Sequence, residues 1–128
     1  MTRLHVLHVD DEPDIREVAA MSLDLDPSMS LTSAASGAEA LGLLEAGCRP
    51  DVILLDVMMP ELDGPGTLAR LRQLPGHEQT PVIFMTARAQ SSELSRYIAL
   101  GAVGVIVKPF DPMSLAASVR DALAGAGG

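Results

Sequence analysis

The chain is short of positive charge, of aromatic rings and of cysteine. Lysine and arginine together number 9 against 17 aspartates and glutamates, for a formal net charge of −8. Binding the phosphate backbone of a nucleic acid needs a basic patch, and the basic residues here are scattered singly, which argues against that role. Just one of them, Lys108, is a lysine. With no tryptophan, one tyrosine and two phenylalanines, the core must come from leucine, valine, isoleucine, alanine and methionine. A lone cysteine, Cys48, rules out an internal disulfide; next to Gly47 it reads as a packed thiol near a helix end, with a reactive role as the alternative. The histidines do not form a metal set by spacing. His5 and His8 stand three apart in a strand and face opposite sides, while His77 follows Pro75-Gly76 in a loop. The longest uncharged apolar stretch, Ile98 to Val107, is about half of what a membrane span needs. Asp10, Asp11 and Glu12 interrupt any signal-peptide core near the N-terminus, so the cytoplasm is the location expected by default.

What is present is a strongly apolar chain of 128 residues, 48% hydrophobic, enough for one domain with its own core. Five apolar runs alternate with five helical patterns, the signature of βα units and a parallel sheet. Strands are expected at about 4–9, 29–34, 51–55, 81–85 and 103–107. The second is polar at Ser30, Thr32 and Ser33 and reads as an edge. The third is apolar on both faces and therefore central. Pro13 opens a first helix running to about Leu25, because a proline there lacks only an N–H that would have no partner. Ser36-Gly37-Ala38-Glu39 has the form of a capping box, with Gly47 as the stop. Further helices are expected from about Pro65 to Leu74, Ser92 to Leu100 and 112 to 124, the last capped by Asp111-Pro112. Residues 125–128, Gly-Ala-Gly-Gly, read as a frayed tail or the start of a linker, leaving one domain over 1–124.

The polar residues that end these runs are the informative ones. Asp10 and Asp11 follow the first run, Asp56 the third, Thr86 the fourth and Lys108 the fifth. In an open parallel sheet the carboxyl ends of the strands share one edge, where ligands bind. Three carboxylates, a hydroxyl and an ammonium thus converge on one pocket. Two carboxylates about 4 Å apart repel by roughly 4 kcal/mol at an effective dielectric near 20. Such a cluster holds only with a bound proton or cation. Oxygen ligands with room for water favour Mg²⁺ bridging to a phosphate. An aspartate facing a phosphoryl donor forms an acyl phosphate, with metal and lysine offsetting the charge on the equatorial oxygens.

Taken in order, Val9-Asp10-Asp11-Glu12, Asp56-Val57-Met58-Met59-Pro60 with Asp63-Gly64, Thr86-Ala87 and Lys108-Pro109-Phe110 make the chain resemble a response-regulator receiver domain, the family of the chemotaxis regulator. The resemblance runs from Leu4 to about Leu123. It implies an α/β, flavodoxin-like (βα)5 fold: a doubly wound parallel sheet with strand order 2-1-3-4-5. It implies two-component phosphorelay signalling in the cytoplasm. Asp56 would accept a phosphoryl group from the phosphohistidine of a histidine kinase or phosphotransfer protein. Asp10, Asp11, Asp56 and the carbonyl of Met58 would hold Mg²⁺, Asp10 largely through water. Thr86, the N–H of Ala87 and Lys108 would meet the phosphoryl oxygens, and the Lys108–Pro109 bond would be cis. The partner downstream would be a protein target or a fused output domain, reached through the fourth helix, fifth strand and fifth helix. The domain would phosphorylate and dephosphorylate itself without acting as an enzyme on any separate metabolite.

The chain departs from the family at Val105, where an aromatic residue usually stands three positions before the lysine. A rotating ring is therefore excluded as the switch at that position, and Tyr97 on the preceding helix is an alternative reader of the site. Met58 and Arg88 occupy the positions that tune acyl-phosphate lifetime in the family, and their bulk predicts a long-lived phosphorylated state. Plainer roles stand beside these: Asp10 and Asp11 as the start of a helix, Thr86 as a turn cap, Met58 and Met59 as packing, Asp63 and Gly64 as turn geometry. Rival functions fit less well. A haloacid-dehalogenase-type phosphatase needs an aspartate where Met58 stands, and a flavodoxin needs a hydroxyl- and glycine-rich loop where Asp10-Asp11-Glu12 stands. A receiver-like interaction module that works without phosphorylation remains the alternative, favoured by Val105 and opposed by the intact acidic set.

Overall fold

The computed structural model describes residues 3–88 and 90–127. Strands and helices alternate through the chain: β1 (Leu4–Val9), α1 (Pro13–Asp24), β2 (Met29–Ala34), α2 (Gly37–Glu45), β3 (Val52–Asp56), α3 (Gly64–Leu71), β4 (Val82–Thr86), α4 (Ser91–Ala99), β5 (Gly104–Val107) and α5 (Leu115–Gly127). All pairings are parallel and the sheet order is β2-β1-β3-β4-β5, as the resemblance implies. The half-polar β2 is indeed at an edge, and β3 is central and buried along its whole length.

Because successive strand residues point to opposite faces, two cores form. Leu7, Val9, Ile53, Leu55, Val82 and Phe84 pack under α2, α3 and α4. Val6, Val52, Leu54, Ile83, Met85 and Ile106 pack under α1 and α5, against Ala19, Leu23, Leu115 and Val119. The Phe84 ring lies 5.2 Å from that of Tyr97 at a 57° tilt, so most of the chain's few rings are spent on one contact. Val105 packs only partly buried beside it.

The helix starts follow from local chemistry. Pro13 opens α1, Ser36 accepts from the Glu39 N–H at 3.0 Å to cap α2, and Asp63 accepts from the Gly66 N–H at 2.8 Å to cap α3. The capping box of α2 closes one residue early, since the Glu39 carboxylate accepts from the N–H of Ala35 rather than Ser36. Gly47 and Gly101 take φ of 110° and 112° after α2 and α4, a conformation that excludes most side chains.

Three expectations need correction. Asp51 sits outside β3, because its carboxylate accepts from the His5 N–H at 2.7 Å, and the strand instead continues through Asp56. α3 ends at Leu71 rather than about Leu74, and the chain turns there onto Arg72, whose guanidinium donates to the Thr80 carbonyl at 2.6 Å. α5 is displaced along the sequence: Asp111 caps a turn through the Met113 N–H at 2.9 Å, and the helix itself begins at Leu115 and continues to Gly127. Residues 125–127 are thus helical, not a frayed tail, while Gly128 lies outside the described residues. Burial pushes the Cys48 thiol up from its usual range, in keeping with a packed rather than a reactive group. Among the described residues no helix is long and apolar enough to cross a membrane.

Phe84 has no exposed surface and joins the central strands to α4. Its replacement in Phe84→Ala is expected to lower stability by about 3–5 kcal/mol, measured by urea unfolding.

Candidate functional site

At the carboxyl edge of the sheet, β1 and β3 deliver their terminal aspartates side by side, because the register pairs Val9 with Leu55. Asp10 has no exposed surface and Asp56 has 4%. Lys108, leaving β5, reaches across to both: its Nζ donates to Asp10 Oδ2 at 2.7 Å and lies 3.1 Å from Asp56 Oδ1. Carboxylate oxygens of Asp10, Asp11, Glu12 and Asp56 all lie within 4.8 Å of one another. Sequence reasoning placed Asp10, Asp11, Asp56 and Lys108 together, and together they are. Glu12 was quoted only as part of a motif; as the N-cap position of α1 it is carried into the same cluster.

Asp10 is fixed from three directions. The Glu12 N–H donates to its Oδ1 at 2.9 Å, Lys108 holds its Oδ2, and the Arg16 guanidinium donates to its backbone carbonyl at 2.7 Å. Arg16 was not foreseen, although its place one turn into the helix after Asp10 is a usable signal. Nor was His8, which is fully buried two residues before Asp10 with Nε2 4.0 Å from Asp10 Oδ2. Burial, opposed by the charge of Asp10, lowers its pKa to about 4.

The loop after Asp56 is held tight. The Gly64 N–H donates to the Val57 carbonyl at 2.9 Å, and a Cβ on Gly64 would stand 2.5 Å from the Asp56 carbonyl oxygen. Asp63 and Gly64 therefore serve geometry: one caps α3, the other lets that helix start directly against Asp56. Met58, two residues past Asp56, stands 72% exposed. With Val57, Arg88, Glu93 and Tyr97 it lines a groove between the loops after β3 and β4.

Thr86 ends β4 and is buried, with its hydroxyl accepting from the Arg88 N–H at 3.0 Å. It is a turn cap in this structure, yet its own proton remains free to donate. Ala87 follows it and is exposed. The backbone N–H of Lys108 donates to the Thr86 carbonyl at 2.8 Å, which ties the ends of β4 and β5 together, and the Lys108–Pro109 bond is cis.

The family model of the response regulator receiver domain matches residues 6–120. The chain belongs to that family, the receiver domains of two-component response regulators. The response regulator Rre1 of Synechocystis is 35% identical over 121 residues, 94% of this receiver domain and 52% of that protein. The probable transcriptional regulator ycf27 of Porphyridium aerugineum is 37% identical over 123 residues, 96% of this chain and 49% of that one. The receiver domain thus spans about half the length of these regulators. The crystallised chemotaxis protein CheY4 of Vibrio cholerae superposes with a TM-score of 0.86 at 30% identity, covering 94% of this chain and 99% of that one. The flavodoxin-like sheet order expected from the motifs is the one this receiver domain has.

The electrostatics of the cluster have a measurable consequence. Burial first, and then the charge of Asp10, push the Asp56 carboxyl up to about 6 against the pull of Lys108. Burial opposes the charge on Lys108 too, but its bonds to Asp10 and Asp56 outweigh that and raise its pKa. An acid whose pKa is raised on folding binds more protons in the native state between its two pKa values. Its contribution to stability is therefore full below about 4 and is lost as the pH rises through 6. Asp56→Asn is expected to stabilise the metal-free protein at pH 7 by ~3 kcal/mol, the gain vanishing as the pH falls to about 4. Urea unfolding of both proteins at each pH checks it, and taking their difference cancels the opposite trend contributed by His8.

Proposed function

We propose that this receiver domain accepts a phosphoryl group on Asp56 and relays its presence to a partner protein. The observation that carries this reading is the ammonium of Lys108 lodged between the carboxylates of Asp10 and Asp56 at 2.7 and 3.1 Å. An all-oxygen cluster this crowded suits a hard divalent cation. Asp10, Asp11 and Asp56, with the Met58 carbonyl, would hold Mg²⁺, and Glu12 stands close enough to assist. When bound, the ion supplies positive charge to the donor phosphate and relieves the repulsion among the carboxylates.

The chain's own groups do the rest. A carboxylate oxygen of Asp56 attacks the phosphorus as the bond from phosphorus to the donor imidazole nitrogen breaks. The products are an acyl phosphate and a free histidine on the donor, which takes its proton from solvent. Lys108 neutralises oxygens of the transferring group, and the Thr86 hydroxyl and Ala87 N–H donate to it from the end of β4. Hydrolysis reverses the gain at the same residue, so the domain acts only on itself. The donor is a histidine kinase or phosphotransfer protein, and the recipient of the signal is a protein target or an output domain joined to the receiver.

Phosphorylation replaces the single negative charge of the Asp56 carboxylate with about −1.5 to −2 on the phosphoryl group, and this biases the loops after β3 and β4. Ile98 on α4, Leu100 just past its end and Val107 on β5 stand exposed, where a partner can read that change. Val105 supports an alternative in which partners bind irrespective of phosphate.

Incubation with acetyl phosphate and Mg²⁺ is expected to add one phosphoryl mass to the intact chain. The gain should be absent from Asp56→Asn and in the presence of EDTA. A gain that persists in Asp56→Asn removes the acceptor role from Asp56. No gain at all favours the phosphate-independent module.

The lifetime of the product follows from the groove. Met58 and Arg88 line the groove beside the site, with the Arg88 guanidinium 3.8 Å from the Glu93 carboxylate. Both obstruct an attacking water. Replacing both by alanine is expected to shorten the half-life of the acyl phosphate severalfold, followed as loss of that mass with time.

A further inference from the structure

His8 is the one buried side chain, among the described residues, whose polar atoms have no hydrogen-bond partner at all: both ring nitrogens are unsatisfied. It alternates with Val6 and Leu7 in β1 and so shares the face of Val6, toward α1 and α5. That face is otherwise apolar, and a valine there would cost no desolvation. An imidazole is therefore a poor choice for packing alone.

Its surroundings suggest what it is for. Nε2 lies 4.0 Å from Asp10 Oδ2, beyond hydrogen-bond range by about 1 Å. Lys108 now serves that same oxygen, at 2.7 Å, while its ammonium also lies 3.1 Å from Asp56 Oδ1. Once Asp56 carries a phosphoryl group, three more anionic oxygens compete for this ammonium. As it turns toward them, a fully buried carboxylate oxygen loses its donor. We propose that His8 is a positioning residue for the phosphorylated state, donating from Nε2–H to Asp10 Oδ2 when Lys108 turns to the phosphoryl group.

The device explains both facts at once. The ring is unsatisfied in the resting protein because Lys108 holds Asp10 Oδ2 at 2.7 Å, leaving it 4.0 Å from Nε2, and Asp10 keeps a donor when its first partner leaves. Nε2 carries a donor proton in one neutral tautomer and in the cation, so the exchange needs no change of charge on His8. The inference rests on the phosphoacceptor reading of Asp56.

The test uses beryllium fluoride with Mg²⁺ as the phosphoryl mimic on the full chain. In the wild type, the His8 Nε2 proton should become protected from exchange and move downfield on adding the mimic, with the rings of His5 and His77 unchanged, by NMR. His8→Val should bind the mimic about fivefold or more weakly, and His8→Gln, which keeps a donor near the Nε2 position, should return to within about twofold of wild type. A His8 signal that does not move, or His8→Val binding as tightly as wild type, overturns the proposal. If His8→Val does not fold, the wild-type spectrum decides alone. A wild type that takes up neither the mimic nor a phosphoryl group from acetyl phosphate overturns the phosphoacceptor reading itself.

Discussion

Everything at this site depends on keeping buried carboxylates close together without letting their repulsion open the fold. Asp10 and Asp56 are almost without exposed surface and lie beside each other at the ends of neighbouring strands. A single ammonium, Lys108 Nζ, is shared between both. Burying such charges is costly, and the cost is recovered only when each has a partner. The pair is thus a store of electrostatic tension: Asp56 is held well above the usual carboxylate range, and the cluster gains from any cation that offsets its negative charge. The phosphoacceptor role proposed for Asp56 would use that property, because the resting site must be ready to give up its lysine to something else.

The parallel sheet makes the tension possible. The five parallel strands point their carboxyl ends at one edge, and the loops that follow are pinned by backbone bonds: the Gly64 N–H to Val57, the Lys108 N–H to Thr86, the Asp10 N–H to Ala34. Around this fixed floor the adjustable parts are few. The Thr86 hydroxyl is engaged with the turn that follows it, Arg88 swings out toward Glu93, and Met58 overhangs in solvent. The Phe84–Tyr97 contact lies directly beneath, two residues before Thr86. With Val105 in place of a ring, this contact is the aromatic link between the site and α4.

Much of this was legible in the one-dimensional pattern. The alternation of apolar runs and amphipathic segments gave five strands and five helices, and the polar half of Met29–Ala34 gave the edge. The acidic pair, Asp56 and the lone lysine announced themselves by standing at the ends of apolar runs. Boundaries were less legible where side chains override periodicity. Asp51 reads as the start of a strand until its carboxylate is seen holding the His5 N–H, and Pro112 reads as a helix start until Asp111 is seen capping a separate turn. The C-terminal glycines read as a tail because their weak helix propensity is a local quantity; in the folded chain they continue α5 through Gly127.

Residue type and order were therefore enough to fix which groups meet, since strand ends in a parallel sheet have only one edge to share. Tertiary structure alone decided how they meet: that Lys108 serves two carboxylates, and that His8 is left without a partner. Those outcomes are distances of a few ångströms between residues up to a hundred positions apart. They are set by register and packing, and no local pattern in the chain encodes them.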